Sequence, residues 1–536
     1  MWTAESPARL LGGRRRAPAR HAADLGVRQY AILLALTVVL AAVVQYGLYL
    51  HGLYTVSDDE SERTLLASHL TLTKAVTPFI WPPLPMIVTG LALRIHHNLI
   101  TAPRALVGIT GLLTLGATVT LARKLFDRRT VALVTAVLAA VIPQRLILSV
   151  VPLADIYSYL FVLLAAAFLI DWLRSNRPRA LVYTSVALLL ASTARFETWF
   201  FNLALAAYVL YRFLLRHDLG VRLTAAAVGL LGVFPVTWVV ATYVHDGSLK
   251  ALSLTSRQFA ARHGHDVSIA VRTDVVYLFV HDSVFMPILL AGAVALLVLA
   301  RRDRALMTWA ALVFGPMLLL GASMLATFSV PMAAPFRVDG TWIILLIPFA
   351  AWALVGLAEL IVGMSPSVVR FVGVAALVLV AIGPIAVRVK DVEASGIAQA
   401  GALGDKPLEK RLHGLLHSTN RQILLDSLDG LDYLNVLVAS NTPGRFVLDV
   451  DADPTRVSIY SSARQYYVDH HDTNIVQTYL TDKFGLRSAL NRRSLETANI
   501  GYILVDDARV AGILEKQPGV SRPQRLGRWT LFQVSA

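Results

Sequence analysis

The stretch PPLPMIVTGLALRI, Pro82–Ile95, decides how this chain is threaded through a membrane. It is apolar, but shorter than the roughly 20 residues a spanning helix needs. Its prolines suit the first turn of a helix rather than its middle. Arg94 and His96 stand at its far end. Before it lies an apolar run of spanning length at 30–50. After it, further runs centre on 102–122, 130–146, 156–173, 179–194, 197–215, 222–243, 283–300, 305–328, 341–361 and 368–388. Whether 82–95 crosses sets the orientation of all that follows.

Charge placement answers the question. If the stretch does not cross, one set of loops collects Arg123, Lys124, Arg128, Arg129, then Arg174, Arg177, Arg179, then Arg212, Arg216, Arg222, then Arg301, Arg302, Arg304, and Arg370. The short loops of the other side keep only Arg145, Arg195 and Arg337. The basic N-terminal segment, with Arg14–Arg16, joins the first set. This is the pattern of the positive-inside rule, and a crossing at 82–95 would reverse it. The reading is therefore about eleven transmembrane helices, with 82–95 an external or re-entrant helix, which backbone lining a protein cavity permits. The N-terminus is expected in the cytoplasm and the C-terminus outside.

Composition agrees. The 536 residues are 56% hydrophobic and 16% charged, with a mean hydropathy of +0.60, far too apolar for a soluble protein of this length. Residues 1–389 hold 32 Lys+Arg against 18 Asp+Glu, a balance of +14; the remainder holds 17 of each. A pI near 10.0 thus follows from loop charge and does not call for nucleic acid. There is no cysteine, so thiolate metal sites and disulfides are excluded.

From residue 390 the pattern turns globular. The runs RQILLDSL, GRFVLDVD, RVSIYSSA, IGYILVDD and RWTLFQVS read as strands, alternating with helix-like stretches such as LDYLNVLVAS and ARVAGILEKQ. The expected organisation is a basic tail (1–28), a membrane module (29–389) with outer loops at 51–101 and 245–282, and an extracytoplasmic α/β domain (390–536).

Acids gather on the side that is poor in arginine. Asp58, Asp59 and Glu60 follow the first span, Asp155 lies in ILSVVPLADIYSY, and Arg195 and Glu197 lie in TARFETWF. Arg337 lies in AAPFRVDGTW. Converging acids and arginines suit a reaction that deprotonates an acceptor hydroxyl and stabilises an anionic leaving group. Each residue also has a plainer reading. Ser57 and Glu60 fit a capping box, Asp155 can cap the helix after it, Arg195 and Glu197 can pair with one another, and Arg337 can be an interfacial anchor. Arg257 and Arg262 in the long outer loop suit a surface helix facing phosphates. His263, His265 and the string Asp469–Asp472 lack the ligand spacing of a metal site.

The run from TVSDDESERTLL through WPPLPMIVTGLAL and LARKLFDRRTVALVTAVLAAVIP to SVVPLADIYSYLFVLLAAAFLIDWL resembles the N-terminal module of the GT-C superfamily of polyprenyl-phosphate-sugar-dependent glycosyltransferases. The branch it is similar to is that of protein O-mannosyltransferases and aminoarabinose transferases. In that family an Asp-Glu pair follows the first span, a Pro-Pro-Leu element opens an external helix, and a second acid follows the third span. Asp59-Glu60 matches the pair, with Asp58 giving a one-residue ambiguity, and Asp155 matches the second acid. FRVDGTWIILLIP resembles the segment whose arginine meets the donor phosphate, with Val338 where the family carries an aromatic. The WWDYG-type signature of oligosaccharyltransferases is absent.

The resemblance implies inverting transfer from a polyprenyl-phosphate sugar donor to a lipid, glycan or protein acceptor. Asp59 or Asp58, with Glu60 beside it, would be the base or acceptor-orienting carboxylate, Arg337 would bind the phosphate, and Arg195, Glu197, Arg257 and Arg262 would act in support. No cofactor is assigned; a divalent metal stays open. Rival readings are a transporter or lipid flippase, which calls for charge at span centres, and a non-catalytic assembly protein of the same fold.

Overall fold

The computed structural model describes residues 24–50, 63–64, 67, 82–96, 101–246, 286–327 and 335–362, then 445–448, 467–468, 500–505 and parts of 511–533. Twelve α-helices are described between residues 27 and 362: α1 Val27–Leu50, α2 Leu84–Ile95, α3 Thr101–Phe126, α4 Arg129–Val141, α5 Pro143–Leu148, α6 Asp155–Ser175, α7 Pro178–Ser192, α8 Trp199–Leu214, α9 Val221–Asp246, α10 Met286–Ala300, α11 Arg304–Thr327 and α12 Pro335–Val362. Nine of the eleven predicted spans each coincide with one helix, 130–146 is divided between α4 and α5, and 368–388 lies outside the described residues. Five stretches, in α1, α3, α6, α9 and α12, are long and apolar enough to cross a membrane alone.

Helix α2 has 12 residues, about 18 Å at 1.5 Å per residue, too short for a hydrocarbon core of about 30 Å. The ends of its neighbours fit a helix that does not cross. Asp24, just before α1, accepts hydrogen bonds from the backbone N–H groups of Arg129 (2.9 Å) and Thr130 (3.0 Å) at the start of α4. The start of α1 and the end of α3 therefore share one end of the bundle, and the end of α1 and the start of α3 share the other. The longer helices after that alternate in direction.

Local chemistry sets the boundaries. Pro143 pushes Ile142 into an extended conformation (φ −67°, ψ 128°), which ends α4 and opens α5. Asn176 ends α6 with a left-handed φ of 53°. Pro178 occupies the first turn of α7, where no N–H is needed.

The core lies among α3, α4, α6 and α12, with Leu115, Leu121, Trp172 and Phe349 buried. Trp309 of α11 is fully buried and donates to the Ala166 carbonyl of α6 at 2.8 Å. On α3, Thr110, Thr114 and Thr118 return their hydroxyls to carbonyls four residues back, so polar groups face the interior without cost in unmade hydrogen bonds.

The C-terminal strands form one sheet in the order β2-β1-β3-β5-β4: β1 Arg445–Leu448, β2 Tyr467–Val468, β3 Ile500–Val505, β4 Gln524–Leu526 and β5 Trp529–Gln533. The first three are parallel, and β5 runs antiparallel to β3 and β4. GRFVLDVD, IGYILVDD and RWTLFQVS are strands as expected, whereas RQILLDSL and RVSIYSSA lie outside the described residues.

Candidate active site

Three of the sequence candidates meet at the end of the bundle away from Asp24. Asp155 is the first residue of α6 and is fully buried. The N-cap of that helix is Ala154, so Asp155 stands one position inside the helix rather than at its cap. Its carboxylate accepts a hydrogen bond of 2.6 Å from Nη1 of Arg195. Arg195 sits in the turn between α7 and the single 3-10 turn Phe196–Thr198. Its Nε donates to Oε2 of Glu197 at 3.0 Å, and its Nη2 pairs with Oε1 of the same carboxylate. One guanidinium thus clamps two carboxylates, one buried and one 23% exposed.

Local backbone fixes the clamp. The Thr198 hydroxyl donates to the Arg195 carbonyl at 2.7 Å. The backbone N–H of Leu84, the first residue of α2, donates to the Thr193 carbonyl at 2.9 Å. The Pro-Pro-Leu element therefore docks on the turn that carries Arg195. Burial alone would lower the Arg195 pKa, but the carboxylates of Asp155 and Glu197 outweigh it and hold the guanidinium above its ordinary value. The group stays charged.

Helix α12 reaches the same place. A Cβ on Gly340 would lie 1.8 Å from the hydroxyl oxygen of Tyr159, a buried residue one turn after Asp155 on α6. Only glycine permits this approach. Arg337 precedes Gly340 by one helical turn, which places its backbone in the first turn of α12 near Asp155; its side chain is not among those described. Asp58, Asp59, Glu60, Arg257 and Arg262 also lie outside the described residues.

Arg145 was expected in an outer loop and is instead in the interior, with no exposure. Its Nε donates to the Ala139 carbonyl (2.6 Å), Nη2 to Ala140 (2.9 Å) and Nη1 to Gly111 on α3 (2.8 Å). Where Pro143 breaks α4, the last carbonyls lose their helical donors, and Arg145 replaces them. Gly111 admits the chain here, since a Cβ would lie 2.0 Å from Oγ of Ser149. This lock sets the approach to α6 and so to Asp155. The sequence signal was a proline-broken apolar run with an arginine two residues on.

Among the described residues no group of three or more His, Cys, Asp or Glu side chains could hold a metal ion.

Comparison with known proteins follows the same lines. Residues 81–241 match the family model described as dolichyl-phosphate-mannose-protein mannosyltransferase. The fold is similar to that of ArnT from Cupriavidus metallidurans in the apo state: TM-score 0.56, 15% identity, covering 94% of this chain and 98% of that one. An Archaeoglobus fulgidus oligosaccharyltransferase tethered to an acceptor peptide is similar at TM-score 0.50 and 11% identity, over 91% of this chain and 71% of that one. At such identities the likeness is one of fold. A comparison with curated proteins gives no match. The class is a multi-pass membrane protein that shares its fold with these two solved structures. The family match lies over the α2–α9 region, residues 81–241 of the 536.

Proposed function

We propose that this chain transfers a sugar from a polyprenyl-phosphate donor to an acceptor hydroxyl or amine on the outer face, with inversion. The observation that carries the reading is the meeting of the Asp155–Arg195–Glu197 clamp, the start of α2 and the first turn of α12 at one end of the bundle. Asp59, or Asp58, takes the proton as the acceptor attacks the anomeric carbon. The bond from that carbon to the phosphate oxygen breaks, and Arg337 stabilises the charge the phosphate gains.

Asp155 has a supporting part in this scheme. It is fully buried and held by a guanidinium, so it orders the site rather than meeting substrate as an open base. Glu197 is the more exposed carboxylate of the clamp, and in this scheme it is the one open to an acceptor. The N-terminus lies in the cytoplasm and the strands of the C-terminal part lie outside, in keeping with the arginine-rich loops at the opposite end of the bundle.

The test is transfer from a panel of radiolabelled polyprenyl-phosphate sugars by membranes carrying the wild type, Asp58→Asn, Asp59→Asn and the double variant. Transfer by the wild type and its loss in at least one single variant is expected. Full transfer by the double variant would remove the acidic cluster from the mechanism, and no transfer from any donor by the wild type would sink the reading. Reporter fusions after residues 100 and 400 should both read outside.

A further inference from the structure

The end of the bundle opposite Arg195 holds a set of arginines that the transfer reaction does not use. Arg177 and Arg179 lie at the turn from α6 into α7, and Arg216 and Arg222 at the turn from α8 into α9; all four are exposed. The fold brings these turns together. Helix α9 packs beside both α7 and α8, and Arg212, in the last turn of α8, reaches Oδ1 of Asn176 at the end of α6 (3.2 Å).

The acids nearby are already engaged. Asp218 receives Nη2 of Arg212 at 2.6 Å and its Nε at 3.0 Å, and its carboxyl is held below the usual range by that hydrogen bond. Asp171 pairs with Lys124 at 2.8 Å. Asp218 also acts electrostatically on Arg216, and among the described residues no ion pair joins a carboxylate to the Arg177, Arg179 or Arg222 side chain. Arg216 lies over the ring of Tyr211, 5.5 Å from its centre, and its Nε donates to that hydroxyl at 3.3 Å.

Directly beside the arginines the surface turns apolar: Leu214, Leu215 and Val221 are 58%, 71% and 67% exposed, and Tyr183, one turn beyond Arg179, is 51% exposed. A cationic rim over an apolar flank, with aromatic rings at the boundary, complements a molecule that is an anion at its head and hydrocarbon below. We propose that the paired turns 176–179 and 215–222 bind the headgroup of an anionic phospholipid in the adjoining leaflet. The arginine surplus at this end supports its being the cytoplasmic leaflet. The proposal rests on membrane embedding and not on the transfer reaction, so either can fail alone.

The test is native mass spectrometry of the full chain in detergent, titrated with phosphatidylglycerol or phosphatidylcholine. Wild type should retain phosphatidylglycerol in preference, and Arg177→Gln/Arg179→Gln/Arg216→Gln/Arg222→Gln should weaken it by more than about twentyfold, from about fivefold for each arginine at an anionic surface. Arg301→Gln/Arg302→Gln/Arg304→Gln, which removes three exposed charges from another turn of the same end, should stay within about twofold. If the quadruple variant does not fold, the triple variant that keeps Arg216 decides, because its three positions make no side-chain bond described in the protein. Equal retention of both lipids, an equal loss in the Arg301–Arg304 variant, or displacement of the lipid by inorganic phosphate would each overturn the assignment.

Discussion

The two ends of the helical bundle handle charge in opposite ways. At the arginine-rich end, ion pairs are spread over many helices and remain partly wet: Lys124–Asp171, Arg128–Glu359, Arg174–Asp303 and Arg212–Asp218. Arg174 and Asp303, for instance, are 37% and 38% exposed. At the other end a single arginine, 8% exposed, holds two carboxylates, one with no exposure at all. The first arrangement ties helix ends together in a screened setting where each pair contributes little. The second concentrates charge where desolvation makes it costly to break. Charge kept under that penalty is the reason the proposed site is placed at this end.

Removing the clamp should therefore have the largest effect. Arg195→Gln leaves Asp155 and Glu197 buried without their cation and should destabilise the protein by about 3–5 kcal/mol, read as a fall in the thermal transition in detergent. Adding Asp155→Asn should recover part of that loss. If the double variant were no more stable than Arg195→Gln, the two residues would not be coupled.

The lock at Arg145 should come next. Arg145→Met leaves the last carbonyls of α4, at Ala139 and Ala140, without the arginine donor and removes the added bond to Gly111 within α3, and a loss of about 2–4 kcal/mol is expected from unmade buried hydrogen bonds. An unchanged transition would mean that water satisfies those carbonyls equally well.

Gly340→Ala should cost about 1–3 kcal/mol by overpacking against Tyr159. Tyr159→Leu should relieve it, because both the hydroxyl and the ring atoms behind it are in the way. A Gly340→Ala protein with wild-type stability and transfer would show that α12 does not depend on this approach.

The smallest effects belong to the arginine-rich end. Arg174→Gln should cost at most about 1 kcal/mol. Asp24→Ala should cost about 1 kcal/mol, the usual value of a lost helix cap. Burial pushes the Asp24 carboxyl up, but the N–H groups of Arg129 and Thr130 outweigh it and hold it below the usual range. A depressed folded pKa means that this contribution is present above the unfolded carboxyl range and is lost as pH falls through the folded value. Wild type should thus lose stability on acidification more steeply than Asp24→Ala. Parallel acid profiles would exclude the cap.

Much of this was legible in the chain because membrane helices follow one-dimensional rules. Nine predicted spans each coincide with one helix, and 82–95 is a 12-residue helix opened by prolines, as its length and prolines predict. Asp155, Arg195, Glu197 and Arg337 could be assigned to one end from the same count. Their pairing could not. Asp155 at a helix start reads locally as a cap, and Arg195 beside Glu197 reads as a private pair; the 2.6 Å contact joins residues 40 positions apart. Arg145 next to Pro143 reads as a loop residue, since nothing nearby in sequence announces carbonyls waiting on α3 and α4.

The sequence by itself determined where the helices lie, which end gathers arginine and which gathers acid, because hydrocarbon thickness and the cost of moving arginine across a membrane act on each segment separately. The tertiary structure alone decided which charges meet. Side chains from α6 and the α7–α8 turn meet, and the backbone of α12 approaches Tyr159, only when helices pack to contact, and in that low-dielectric setting the partner chosen matters more than the residue type.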